Sequence, residues 1–414
     1  MDEQTAGMRH APFFAELSTL GDDDRSWRAV SAGLVTLRLI DAWVAEGAAV
    51  VAADAWGVRA VGAAIEEMPE GLSTRAILGS VFAALRESRG GDLHLVAPRL
   101  MAYARSLELD AKWELAGDVY ETIISHAHPV EESDVVIVAH LRLAFCQRSL
   151  GALDEASRSY QLAGSIAGEV DDIFGMLRAR IGAAKISLER GNLPRAERLL
   201  DDVIGEVAAR GDLPEIHAVA LQDRAAVAFH RGRYDHAVEL AYASFALTED
   251  PVNRDRLLSD IALTFTKLGV YSAARDAYLI VEATAQEQFQ RWAASLNLME
   301  LAAHEGAMSV FERYRRSLAA LPFPPSQRVQ YHLQAAEGYE ALGDPRAALD
   351  AGHRARALAA QFGFHQLVFH ADALVRRVEQ GRTRRQAVPA RAVDAGVHAV
   401  AESIGNLRRE VVET

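Results

Sequence analysis

His126-x-His128, followed by Glu131 and Glu132, is the densest group of side chains that could hold a metal or move a proton. A metal centre needs its ligands to converge on one point. Alternate histidines face the same way only on a strand or turn, whereas a helix brings offsets of three and four to one side. The pair runs into Pro129, so it predicts surface side chains at a helix end rather than a metal site. His365 and His370 flank Leu367, Val368 and Phe369, with no carboxylate close in sequence to complete a set. Cys146 is the only cysteine, which rules out an intrachain disulfide and a thiolate cluster. Its setting, Leu143-Ala144-Phe145-Cys146, reads as a small buried hydrophobe in a helix. No His-Glu-x-x-His, phosphate-loop or Gly-x-Ser-x-Gly pattern occurs. The expectation is therefore no catalytic residue, no metal and no cofactor. An enzyme would have to be a helical one without a recognisable motif.

The bulk composition narrows the classes further. The chain has 414 residues, 50% of them hydrophobic and 24% charged, so most of it should fold. A net charge of -13 favours solubility and opposes general affinity for nucleic acid, so no direct nucleic-acid partner is expected. The most apolar early stretch, Ala42 to Ile65, is interrupted by Glu46, Asp54 and Arg59, which predicts no membrane span. Asp2 and Glu3 at the start do not suit a signal peptide, and cytoplasmic residence is the default expectation.

The elements that would position any site follow a near-constant period. The turn between two helices is written Gly151-x-Leu153-x-x-Ala156, Gly191-x-Leu193-x-x-Ala196, Gly232-x-Tyr234-x-x-Ala237 and Gly269-x-Tyr271-x-x-Ala274, with a variant at Gly343-x-Pro345-x-x-Ala348. A degenerate copy at Gly306-x-Met308 has Phe311 in the alanine place, and the spacings from Gly151 to Gly343 are 40, 41, 37, 37 and 37 residues. Such repetition predicts stacked hairpins whose apolar stripes are hidden by their neighbours, with small alanines letting paired helices approach. The extra residues of the first two periods are expected in the connections around 168–172 and 210–214. An earlier divergent unit has Ala111 in the glycine place, followed by Trp113, Ala116 and Tyr120.

Before that, Trp27, Val30, Leu34, Leu37 and Ile40 form one helical stripe, Asp24 or Ser26 could cap it, and Gly47 should end it. The chain thus divides into an N-terminal helical region with divergent repeats (1–108), a repeat array (109–375) and a basic segment with a last helix (376–414). The final part carries six arginines between 376 and 391, and its helix would cap the array or mediate self-association.

These residues resemble the tetratricopeptide-repeat family. Gly151, Leu153, Ala156 and Tyr160, and likewise Gly269, Tyr271, Ala274 and Tyr278, carry the family's glycine, turn residue, alanine and following aromatic in register. The longer periods also look like the tetratricopeptide-like sensor domains of bacterial regulators and peptide receptors, although no DNA-recognition helix stands out at either end. The resemblance implies an all-α superhelix, or solenoid, of antiparallel helix pairs that acts as a scaffold or adaptor. Its first helices would line a concave surface that binds a protein or peptide.

Aligned on the glycines, that resemblance puts Phe145, Arg148, Arg178, Lys185, Gln222, Arg256 and Lys267 on the binding wall. Several cations there would attract an acidic peptide through charge-assisted hydrogen bonds. The alternative is a bacterial regulatory receptor for a short acidic peptide.

Overall fold

The computed structural model describes residues 8–21, 25–52, 55–88, 93–321, 323–381 and 394–413. Among them are 20 α-helices, two short 3-10 helices and no strand. None of these helices is long and apolar enough to cross a membrane. Residue contacts divide the chain into two compact units, Met1–Val203 and Ile204–Thr414.

The first unit opens with α1 (Ala11–Thr19), α2 (Arg25–Glu46), α3 (Trp56–Glu66) and α4 (Ser73–Glu87). Asp24, one expected cap of α2, lies outside the described residues. Gly47 ends α2 with φ 82°, and α2 contributes Leu37, Ile40 and Trp43 to a core without solvent exposure. Hairpins follow: α5 (Ala97–Leu109) with α6 (Trp113–His126), α7 (Ser133–Ser149) with α8 (Leu153–Glu169), and α9 (Ile173–Glu189) with α10 (Leu193–Arg210), whose end crosses into the second unit. The second unit continues with α11 (Pro214–His230) and α12 (Tyr234–Leu247), α13 (Pro251–Leu268) and α14 (Tyr271–Thr284), and α15 (Gln288–His304) and α16 (Met308–Ala319). It ends with α17 (Pro325–Ala341), α18 (Pro345–Gln361), α19 (His365–Glu379) and α20 (Ala395–Glu413).

One backbone device makes the hairpins. Gly151, Gly191, Gly232, Gly269, Gly306 and Gly343 all have φ between 71° and 79°, the left-handed region that a Cβ disfavours. The next residue then donates its N–H to a carbonyl five positions back, as from Ala152 to Gln147 at 2.9 Å and from Val270 to Phe265 at 3.0 Å. This satisfies a carbonyl that the helix end would leave open and reverses the chain. Ala111 takes the same conformation at φ 57°, and Lys112 closes the same bond onto Leu107 at 2.9 Å. The divergent unit therefore keeps the turn and bears its steric cost.

Packing follows the alanine rule. Ala156, Ala196, Ala274 and Ala348 are fully buried, and Ala237 is nearly so. Where Phe311 replaces alanine it is also fully buried, because Gly338 on α17 leaves room for the ring; a Cβ at 338 would lie 2.3 Å from it. Gly182 on α9 makes the same allowance for Tyr160, again at 2.3 Å.

The longer first periods differ from expectation. The connections stay short, and the additional residues extend the second helices instead: α8 and α10 have 17 and 18 residues against 14 in both α12 and α14. Asp171 makes the short connection feasible by taking φ 55°, with Asp172 capping α9 through Gly175 N–H at 3.1 Å. The C-terminal helix does not cover the end of the array either. Val397, Val400 and Ile404 of α20 pack into the core built by α12 to α14, with α20 lying against α12 and α14. The arginines at 382–391 lie outside the described residues.

Candidate binding surfaces

Within each unit, first helices of successive hairpins meet one period apart, as α7 meets α9 in the first unit and α15 meets α17 in the second. Each unit carries its own set of the expected residues.

In the first unit, Phe145 on α7 is half-buried against Trp113 of α6, ring centroids 5.4 Å apart and nearly perpendicular. The guanidinium groups of Arg142 and Arg148 stand 4.7 and 5.3 Å from the Phe145 centroid, one turn to either side. Positive charge over an aromatic face is favourable, so the three side chains brace each other. Arg148 also pairs with Glu189 of α9. Burial alone would depress the Arg148 pKa, but the Glu189 hydrogen bond and charge raise it. Arg142 binds buried Glu108 of α5, which also accepts from Tyr120 Oη at 2.7 Å. Arg178 on α9 stands 5.7 Å from the ring of Phe174, which is 41% exposed. Lys185 is half-buried and engaged by a neighbour.

In the second unit the wall changes character. Gln222 on α11 hydrogen-bonds Asp260 of α13. Asp260 reaches solvent yet is crowded by protein. Desolvation, aided by the Asp223 charge and opposed by Gln222, pushes its carboxyl up to about 6. Arg256 is exposed and pairs with Glu287 at 3.4 Å, while Lys267 is exposed near the end of α13. Further along, Gln334 of α17 donates to Asn297 and Glu300 of α15 at 3.4 and 3.3 Å. Glu337 meets His370 of α19 at 3.3 Å, and Glu340 takes Arg377 through two hydrogen bonds of 2.9 and 2.7 Å.

The expected cations are thus interleaved with acids. Two regularities carried these acids in the sequence: Asp223 and Asp260 each stand nine residues before their turn glycine, and Glu300 and Glu337 each stand six before theirs. Arg142 was legible as the residue one turn before Phe145 on the same stripe.

The histidine pair separates. His128 is exposed and its Nδ1 accepts from the Glu131 backbone, whereas His126 turns inward. No group of three or more His, Cys, Asp or Glu among the described residues is arranged to hold a metal ion. Cys146 is fully buried; burial and the Glu108 charge push its thiol up to about 12, which makes it unreactive at neutral pH.

The inward histidine belongs to a cluster that holds α1. His10 is almost completely buried, with Nδ1 2.7 Å from Asp118 Oδ2 and Nε2 3.0 Å from Asp41 Oδ2. Both ring nitrogens face acceptors, so both carry protons. Burial opposes that charge, but the hydrogen bonds and charges of Asp118 and Asp41 outweigh it and raise the His10 pKa to about 9. His126 Nε2 lies 2.7 Å from Asp41 Oδ1 and donates to it; its 2.8 Å approach to Arg9, a donor only, is then a close contact. Arg9 pairs with Asp41 at 2.9 Å.

No protein-family model matches the chain, and neither does any curated protein. Solved structures do match. One is a Rap protein complexed with competence and sporulation factor, with 12% identity and a TM-score of 0.47 over 87% of this chain and 99% of that one. Another is the apo form of RapI, with 10% identity and a TM-score of 0.47 over 85% and 100%. A third is BtubC (BKLC) from P. vanneervenii, with 15% identity and a TM-score of 0.38 over 60% and 92%. The chain is an all-α helical-repeat protein.

Proposed function

We propose that this protein binds a peptide or protein segment along the exposed sides of its first helices and acts as a regulatory scaffold. The observation that carries this is the recurrence of polar groups, one period apart, on consecutive first helices: Arg148 beside Glu189, and Gln222 beside Asp260. An extended partner presents groups at regular intervals, and a row of this kind can exchange internal pairs for pairs to the partner. Phe145, with guanidinium groups on either side, offers the first unit an anchor for an acidic or aromatic side chain. In the second unit Asp260 and Glu337 favour basic side chains, so the two units select differently, acidic or aromatic groups at the first and basic groups at the second. The tetratricopeptide resemblance supports the same use of these helices.

Selection of ten-residue peptides from a displayed library against the full chain tests the reading. Selected peptides should lose at least tenfold in affinity to Arg148→Ala/Lys185→Ala or to Asp260→Asn/Glu337→Gln, with the loss shrinking as salt rises. Unchanged affinity in both double variants would refute it.

A further inference from the structure

The first unit contains a cavity of about 840 Å³ between the start of α1, α6 and the end of α7. That volume lies within the range of small-ligand sites, roughly 300–1,000 Å³. Its α7 wall consists of Leu143, Cys146, Gln147 and Leu150. At 100° per residue these lie on the opposite side of the helix from Phe145 and Arg148. The cavity therefore opens on the other side of α7 from the peptide surface, although Trp113 touches both, lining the cavity and packing against Phe145.

The charges on its walls do not balance. Arg9 and His10 are matched by Asp41 and Asp118 in the cluster described above. Glu114 and Glu121 also line the cavity, are exposed to it, and make no hydrogen bond or ion pair with any described residue. They sit seven residues apart on α6, two turns along one face, so their backbones are about 10 Å apart. Gly117 lies between them and leaves that strip free of a side chain, while Trp113 and Leu143 supply apolar walls.

We propose that this cavity binds a linear organic dication, a diamine or polyamine, with one ammonium group at Glu114, the other at Glu121 and the aliphatic chain along Gly117, Trp113 and Leu143. Two carboxylates without a partner among the described residues offer two places for positive charge, and their separation along the helix sets the spacing between them. The apolar walls desolvate the methylene chain, and Trp113 offers a ring to the ammonium group near Glu114. Desolvation, with the neighbouring Asp118 charge, raises the Glu121 pKa, and an ammonium partner would relieve that repulsion. His10 maintains the arrangement from below by neutralising Asp118.

Calorimetric titration of the full chain at low salt with 1,8-diaminooctane and with hexylamine tests this. The diamine should bind, and hexylamine at least tenfold more weakly. Glu114→Gln and Glu121→Gln should each weaken the diamine about tenfold. Glu131→Gln, the same charge change on the exposed turn after α6, should leave it unaltered. Circular dichroism establishes that each variant folds; should either cavity variant fail to, the diamine-to-monoamine ratio of the unaltered chain decides. No diamine binding at 1 mM, equal binding of both amines, or an equal loss in Glu131→Gln would overturn the proposal. Peptide affinity measured on the same variants should not change, which keeps the two sites distinguishable.

Discussion

His10 should tie the docking of α1 to pH. In the folded chain its pKa is about 9, against an ordinary value of 6.5. At about 1.4 kcal/mol for each factor of ten, that difference is worth roughly 3 kcal/mol. The side chain is 1% exposed, so solvent screening takes little from it. Because the folded value is raised, the stabilisation is complete below pH 6.5, falls between 6.5 and about 9, and is absent above. Hydrogen exchange followed by mass spectrometry over residues 11–19 reports the local opening of α1. The chain with His10 and the His10→Gln variant should differ by about 3 kcal/mol in opening free energy at pH 6 and by less than about 1 at pH 9. Comparing the two at the same pH removes the intrinsic pH dependence of exchange and the titration of groups outside the cluster around Asp41 and Asp118. A gap of the same size at both pH values would refute the argument, because His10 would then act through shape alone.

Two further substitutions probe the repeat geometry. Gly338→Ala places a Cβ 2.3 Å from the Phe311 ring and should cost about 1–3 kcal/mol in urea unfolding. Phe311→Ala alone should cost about 3–5 kcal/mol, and the double variant should cost at least 1 kcal/mol less than the sum; strict additivity would mean that the glycine does not exist for the ring. Ala111→Gly should stabilise the first unit by about 0.5–1 kcal/mol, seen as a higher melting temperature, since it relieves a left-handed alanine at φ 57°. A lower melting temperature would show that the alanine methyl group contributes packing.

The hairpin turns were legible because the left-handed backbone has one preferred residue, and six glycines wrote it at a steady interval. Ala111 was found only through Trp113, Ala116 and Tyr120 around it, since alanine itself signals nothing about φ. The polar surfaces were harder to read because each partner lies about a period away, and helix rotation decides whether the two meet. Arg148 finds Glu189 at a separation of 41 residues and Arg256 finds Glu287 at 31, neither a spacing that a single-helix pattern brings to notice. The Gly338 allowance for Phe311 was hidden for the same reason: each residue looks like a local anomaly, and only their contact makes them one feature. The length of α8 and α10 was misplaced because Gly168 and Gly211 suggested loops, and one of these glycines is held within a helix while the other lies just past the end of one.

A linear array loses its end members most easily, because each has a neighbour on one side only. The return of α20 onto α12 and α14 changes this for the second unit. The chain from α14 through α19 is then anchored at both of its ends, so α17 to α19 are tethered to the body of the unit while α20 stays seated. Detaching α20 uncovers Val397, Val400 and Ile404 at once and gives that whole span a loose end. The last helix in sequence is therefore the latch of the half that contains it, and the strength of its seating sets whether that half melts in one step or frays.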